Sequence, residues 1–72
     1  MQRNWEDLAQ AIVIQAVKDY RLALKVFRRR PESKRAKELI EEIEGFLRSR
    51  WFFLMYDIDP ERLIERLKEE VA

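Results

Sequence analysis

The chain has 72 residues, of which 40% are charged, and a formal net charge of +1. It contains no cysteine, no histidine and one glycine, which excludes disulfides, histidine metal sites and glycine-rich phosphate loops. A chain of this size can form one small domain with an apolar core. We therefore predict a single helical domain over residues 1–72, with no enzyme activity, no metal and no cofactor.

Charge is unevenly distributed along the chain. Residues 1–30 contain seven Lys/Arg against three Asp/Glu, whereas residues 51–72 contain three against six. This gradient favours helices that pack with a basic end against an acidic end. A dedicated nucleic-acid binder would be basic overall, so we expect no specific nucleic-acid partner. No apolar run approaches the roughly 20 residues that span a bilayer, so we expect a soluble cytoplasmic protein with no membrane partner.

The first predicted helix begins near Asn4, which can cap it, and continues to about Phe27 without glycine or proline. At about 100° per residue, one of its faces is apolar. That face contains Trp5, Leu8, Ala9, Ile12, Ala16, Tyr20, Ala23, Val26 and Phe27, and it is widened by Val13, Val17 and Leu24. An apolar arc this broad requires more than one partner helix.

The second predicted helix runs from about residue 31 to at least residue 50. Three arginines at positions 28–30 end the first helix, and Pro31 suits the first position of the next. The predicted apolar face of this second helix contains Ala36, Leu39, Ile40, Ile43, Phe46 and Leu47 and continues to Trp51 and Leu54. Gly45 falls on the polar side, where it weakens the helix modestly.

The last predicted helix covers about residues 60–71. Asp59 is a good N-cap, Pro60 suits the first helical position, and Ile58 can pack against Leu63. The sequence thus predicts an all-α fold, a small helical bundle of two long helices and a short third helix.

Residues 46–56 contain five of the eight aromatic side chains, and residues 51–56 are all apolar or aromatic. A helical segment that is apolar on every side must be buried on every side. Two long helices and one short helix cannot provide that cover. We therefore expect homo-oligomerisation to complete the bundle, as a two-fold dimer or a multiple of it.

Two charged residues fall on the predicted apolar faces. Asp19 lies within about 20° of Ile12 on the first helix, with Gln15 at the edge of the same arc, and Arg50 lies within about 20° of Ile43 on the second. One interpretation is a buried ion pair between Asp19 and Arg50 that fixes how the helices dock. In another, Arg50 extends past its aromatic neighbours to water.

A third interpretation makes these residues part of a ligand pocket. Arg50 would bind an anion, and Trp5 or Trp51 would offer a flat surface for stacking. A guanidinium group beside indole rings suits a nucleotide or another phosphorylated aromatic ligand.

Several strings across nearly the whole chain resemble a family of small proteins encoded by phages and integrative elements of bacteria. They are Trp5-Glu6-Asp7-Leu8-Ala9, Gln15-Ala16-Val17-Lys18-Asp19-Tyr20-Arg21, Ile43-Glu44-Gly45-Phe46-Leu47-Arg48-Ser49 with Trp51-Phe52, and Leu63-Ile64-Glu65. The family often has Asp-Gly where this chain has Asp59-Pro60. Its pattern includes Trp5, Gln15, Asp19, Tyr20, Arg21, Ser49 and Trp51. Similar proteins commonly antagonise host defence or regulate host machinery, and one strategy is to sequester a nucleotide second messenger.

The resemblance favours a non-enzymatic phage or mobile-element protein in the bacterial cytoplasm, which binds and sequesters a small anionic nucleotide-like signalling molecule. Its expected ligand-binding residues are Trp5, Gln15, Asp19, Tyr20, Arg50 and Trp51. The alternative is a protein–protein interaction module that inhibits or regulates a host protein through an exposed aromatic patch. A third interpretation is a weak nucleic-acid binder that uses Arg21, Lys25 and residues 28–30.

Overall fold

A computed structural model describes the backbone of residues 5–71 and the side chains of residues 7–71. Four α-helices follow one another in this part of the chain: α1 (Trp5–Arg29), α2 (Lys34–Leu47), α3 (Arg50–Tyr56) and α4 (Pro60–Val71). The all-α class is confirmed, since residues 5–71 contain no strand. The predicted layout of three helices is wrong, because a break between Leu47 and Arg50 divides the predicted second helix into α2 and α3. The cap predicted at Asn4 lies outside the described residues.

A short turn connects α1 to α2. The backbone N–H of Ser33 donates to the carbonyl of Arg30 at 3.0 Å, and the Ser33 hydroxyl accepts from the N–H of Ala36 at 3.2 Å. Pro31 therefore lies in the turn and not at the first helical position, contrary to the prediction. Ser33 provides the side-chain acceptor that a helix N-terminus needs, so α2 begins after it.

The prediction of one helix through residue 50 is corrected at Ser49. α2 ends at Leu47, Ser49 has extended backbone angles, and its hydroxyl accepts from the N–H of Phe52 at 3.2 Å. A serine side chain can stabilise a new helix start in competition with continued helix. The break changes which side chains of the aromatic segment face the core: Phe52 is buried, whereas Leu54 is exposed.

The end of α3 and the start of α4 are set by two aspartates. Asp57 adopts a left-handed conformation, with φ 50° and ψ 42°, and its N–H bonds to the carbonyl of Phe53. The Asp59 carboxylate accepts from the N–H of Glu61 at 3.0 Å. The predicted cap at Asp59 and the predicted helix over residues 60–71 are both confirmed.

All four helices surround or contribute to one core. α1 packs against α2 and α4, and α3 packs against α2. The buried cluster draws on every helix and consists of Tyr20, Ile43, Leu47, Phe52, Ile64 and Leu67. Arg21 on α1 pairs with Glu70 on α4 at 2.9 Å, which joins the basic first helix to the acidic last one. Within residues 5–71, no helix combines the length and apolarity that crossing a bilayer requires.

Candidate functional site

Gln15 and Asp19 lie together on the open side of α1. Gln15 Nε2 donates a hydrogen bond of 2.9 Å to Asp19 Oδ1, one turn further along the helix. Both side chains line a shallow groove of about 420 Å³ between α1 and α2. The remaining residues of this groove are Ile12, Ala16, Leu39, Glu42, Ile43 and Phe46.

The charge of the groove is negative. Asp19 and Glu42 contribute carboxylates, and no lysine or arginine is among the described residues that line it. An anion in the groove would therefore experience repulsion from these two carboxylates, with no cation among the described lining residues to offset it. The groove instead suits a binding partner that presents apolar side chains together with a hydrogen-bond donor or a cation.

Arg50 does not reach Asp19, so the predicted ion pair between the long helices is not formed. Arg50 is exposed at the start of α3, and within residues 7–71 neither residue has an ion-pair partner. The physical reason is the break at Ser49. Helical spacing carried through that break placed Arg50 in the core, whereas the new helix start exposes it.

Tyr20 is fully buried and its hydroxyl is already used. The hydroxyl donates to Glu44 Oε2 at 2.7 Å. Burial raises the pKa of Tyr20, and the hydrogen bond to Glu44 and the charge of Glu44 raise this pKa further. Tyr20 therefore holds α1 to α2 and offers no surface to a ligand, contrary to its predicted role.

The Trp51 side chain is half-buried and packs against Phe46, with ring centroids 5.6 Å apart. Phe52 continues this packing, with centroids 6.2 Å from Phe46 and 5.3 Å from Tyr56. These aromatic rings join α2 to α3, and Trp51 is not among the described residues that line the groove. Trp5 begins α1, but its side chain lies outside those that the structure describes.

A network of charged side chains connects α2 to α4. Arg48 donates to both oxygens of Glu61, from Nε at 2.5 Å and from Nη2 at 3.0 Å. Glu44 accepts from Arg48 at 3.4 Å and lies 3.6 Å from Lys68 Nζ. The hydrogen bond with Glu61 raises the pKa of Arg48, and the same bond lowers the pKa of Glu61.

The full network could not be predicted from the sequence. The signal was partial, since Glu44 and Arg48 are one helical turn apart, but Glu61 and Lys68 come from a distant part of the chain. Two cations and two carboxylates balance each other here. The arrangement connects the C-terminal end of α2 to α4. No cluster of three metal-ligating side chains occurs within the described part of the chain.

Large apolar side chains are exposed on α1 and in the segment from α3 to Ile58. Among the described residues eight are exposed: Leu8, Ile12, Ile14, Leu22, Val26, Phe53, Leu54 and Ile58. In the same part of the chain, only six buried side chains are larger than alanine. In the segment 51–56 only Phe52 is fully buried, while Phe53 and Leu54 are 54% and 68% exposed. One chain therefore does not cover the aromatic segment by itself.

Comparisons with protein-family models, with curated proteins and with solved structures found no match to this chain. Its function is therefore inferred from the residues and contacts described above.

Proposed function

We propose that this protein is a non-enzymatic protein-interaction module that works as a homo-oligomer and regulates a partner protein. The observation that carries the proposal is the excess of exposed over buried large apolar side chains in the described chain. Contiguous exposed apolar surface on a small protein is typical of a surface that binds another protein. Such a surface needs no cofactor and no catalytic group.

The partner-binding surface that we propose is the α3 patch, defined as Arg50, Phe53 and Leu54. Phe53 and Leu54 are three and four residues after Arg50, so the three side chains share one face of α3. All three residues are exposed. A partner that matches them has an apolar pocket for Phe53 and Leu54 and an acidic group at its rim for Arg50.

The resemblance to phage and integrative-element proteins supports a biological setting for this role. Regulation of a host protein by a small mobile-element protein requires binding and no chemistry of its own. The α3 patch provides apolar anchors and one cation for that purpose. We therefore propose that the partner is a protein of the bacterial cytoplasm.

Sequestration of a nucleotide-like anion stays a prediction with less support from the geometry. The groove that contains Gln15 and Asp19 is acidic, Arg50 lies elsewhere, and Tyr20 is buried. Thermal melts of the protein with a panel of mono- and cyclic nucleotides test this function. We expect no shift of the melting temperature, whereas a shift abolished by Arg50→Ala would favour the ligand-binding function.

The partner-binding proposal is tested by photo-crosslinking in bacterial cells. A benzoylphenylalanine replaces Phe53 in one variant and Glu41, which is exposed on α2, in a control variant. We expect one adduct of defined mass from position 53, and its mass should differ from that of two cross-linked copies of this chain. No such adduct should form from position 41. Leu54→Asp and Arg50→Glu should both lower its yield, because they oppose the apolar and the charge contact.

Arg30→Glu provides the matched charge reversal, since Arg30 is exposed outside the α3 patch. It should leave the adduct unchanged. Equal labelling from positions 53 and 41, or a yield that Leu54→Asp does not alter, would contradict the assignment of α3 as the binding surface.

A further inference from the structure

One exposed face of α1 carries a regular pattern that the fold of a single chain does not use. We call this face the α1 strip and define it as Leu8, Ile12, Gln15, Asp19, Leu22 and Val26. The spacing along the strip alternates between four and three residues, as in the seam of a coiled coil. Its four apolar members are all exposed, and it spans about 27 Å of helix.

The α1 strip is symmetric about Val17. Leu8 and Val26 lie nine residues before and after Val17, Ile12 and Leu22 lie five, and Gln15 and Asp19 lie two. A two-fold axis at Val17 that reverses the helix direction exchanges the members of each pair. Leu8 then meets Val26 of the partner copy, Ile12 meets Leu22, and Gln15 meets Asp19.

Charge and hydrogen bonding decide between antiparallel and parallel pairing. In the antiparallel pair, the amide of Gln15 can donate to the carboxylate of Asp19 on the other copy. A parallel pair would place Asp19 against Asp19, and like charges in such a seam repel. The antiparallel arrangement also makes the contact isologous, so each pair of residues occurs twice.

The surroundings of the strip are compatible with a second helix. Lys18 is exposed next to the axis, so two copies bring two lysines to the same region as two aspartates. On the other side the strip borders the groove, where Ala16, Leu39 and Phe46 continue its apolar surface. A polar pair in the middle of an apolar seam fixes its register.

We propose that a second copy of this chain docks antiparallel on the α1 strip, with the two-fold axis at Val17. The proposal rests on the homo-oligomeric part of the proposed function and identifies the surface that forms the dimer. It leaves the α3 patch of each copy available for the partner protein.

The first test compares two isoleucines on the same helix by sedimentation equilibrium at micromolar concentrations. Ile12 belongs to the strip and is 46% exposed, whereas Ile14 lies on another face and is 48% exposed. The wild type should be a dimer, Ile12→Glu should weaken dimerisation at least about tenfold by burying an unpaired charge, and Ile14→Glu should not.

A second variant pair keeps the test valid if Ile12→Glu fails to fold by circular dichroism. Gln15 is exposed, so Gln15→Glu and Gln15→Lys should leave the monomer fold intact. Gln15→Glu places a glutamate against Asp19 of the other copy, twice per dimer, and should weaken the dimer roughly tenfold. Gln15→Lys places a lysine there, which can pair with Asp19, and should not weaken the dimer.

Helix direction is tested by disulfide formation, with no background because the chain lacks cysteine. Leu8→Cys and Val26→Cys are oxidised separately and as a mixture. We expect disulfide-linked pairs chiefly in the mixture, and each pair should contain one Leu8→Cys chain and one Val26→Cys chain. Pairs that form equally well within Leu8→Cys alone would contradict the antiparallel arrangement.

A monomeric wild type would contradict both the dimer and the homo-oligomeric part of the proposed function. A wild-type dimer that resists Ile12→Glu and Gln15→Glu would contradict the α1 strip alone. Photo-crosslinking at position 53 tests the partner protein independently of either result.

Discussion

Tyr20 on α1 donates a hydrogen bond of 2.7 Å to Glu44 on α2, and this contact connects the apolar core to the charge network. Glu44 also interacts with Arg48 and Lys68, so one carboxylate joins α1, α2 and α4. The Tyr20 ring is fully buried, whereas the Glu44 side chain is 14% exposed. The position of α1 against α2 therefore depends on a polar contact at the margin of the core as well as on apolar packing.

Tyr20→Phe tests this contact. The variant keeps the buried ring and removes the hydroxyl, and we expect it to lower the free energy of unfolding by about 1.5–3 kcal/mol, as for hydrogen bonds to charged groups. Tyr56→Phe is the matched control, because Tyr56 is half-buried against Phe52. Urea unfolding of both variants should show the larger loss for Tyr20→Phe, and equal losses would contradict a stabilising role for the Tyr20–Glu44 bond.

The Arg48–Glu61 pair predicts a dependence of stability on acid pH. The pKa of Glu61 is lowered in the folded chain, so the folded state binds fewer protons than the unfolded state. The contribution of the Glu61 carboxylate to stability is present above the ordinary glutamate pKa of about 4.3. It is lost as the pH falls through the lowered pKa. As the pH is lowered through this range, the melting temperature should fall less steeply for Arg48→Gln than for the wild type. Parallel profiles would show that the pair contributes nothing.

Gly45 can be replaced with a gain in stability. It lies in α2 and is exposed, a Cβ at this position would meet nothing within 4 Å, and no glycine has a positive φ. Gly45→Ala should therefore raise the free energy of unfolding by about 0.5–1 kcal/mol. Chemical denaturation provides the measurement, and a loss of stability would mean that α2 requires glycine for a reason outside these contacts.

Ser49 provides a test of the break between α2 and α3. Ser49→Ala removes the hydroxyl that accepts from the N–H of Phe52 and should cost about 1 kcal/mol, whereas Ser49→Asp keeps an acceptor and should cost less. Urea unfolding measures both. If both variants were as stable as the wild type, the Ser49 side chain would not define the start of α3.

The two helix starts show how much of this fold the sequence could predict. Asp59-Pro60 combines a cap with a residue that starts helices, and the helix over residues 60–71 follows from those two residues. Ser49 has no glycine or proline beside it, and a serine within a helical pattern is compatible with either continuation or a break. The packing of Phe52 into the core favours the break, and that packing depends on distant residues.

The same limit applies to the candidate site. Gln15 and Asp19 share one face of α1 by helical spacing alone, and the structure places them together. Arg50 was assigned to that site by extending the spacing of α2 across a break, so its position was wrong. The bond from Arg48 to Glu61 spans α2 and α4, and no local pattern predicts it.

Native mass spectrometry of the protein purified from bacteria tests the central claim most directly, because it reports stoichiometry and any bound small molecule together. An interaction module that pairs through the α1 strip should give a dimer with twice the mass of the 8.9 kDa chain and no bound nucleotide. Ile14→Glu should give the same spectrum, and Ile12→Glu should shift it to the monomer. A wild-type spectrum of monomers, or of chains that carry a nucleotide-sized ligand, would contradict this account.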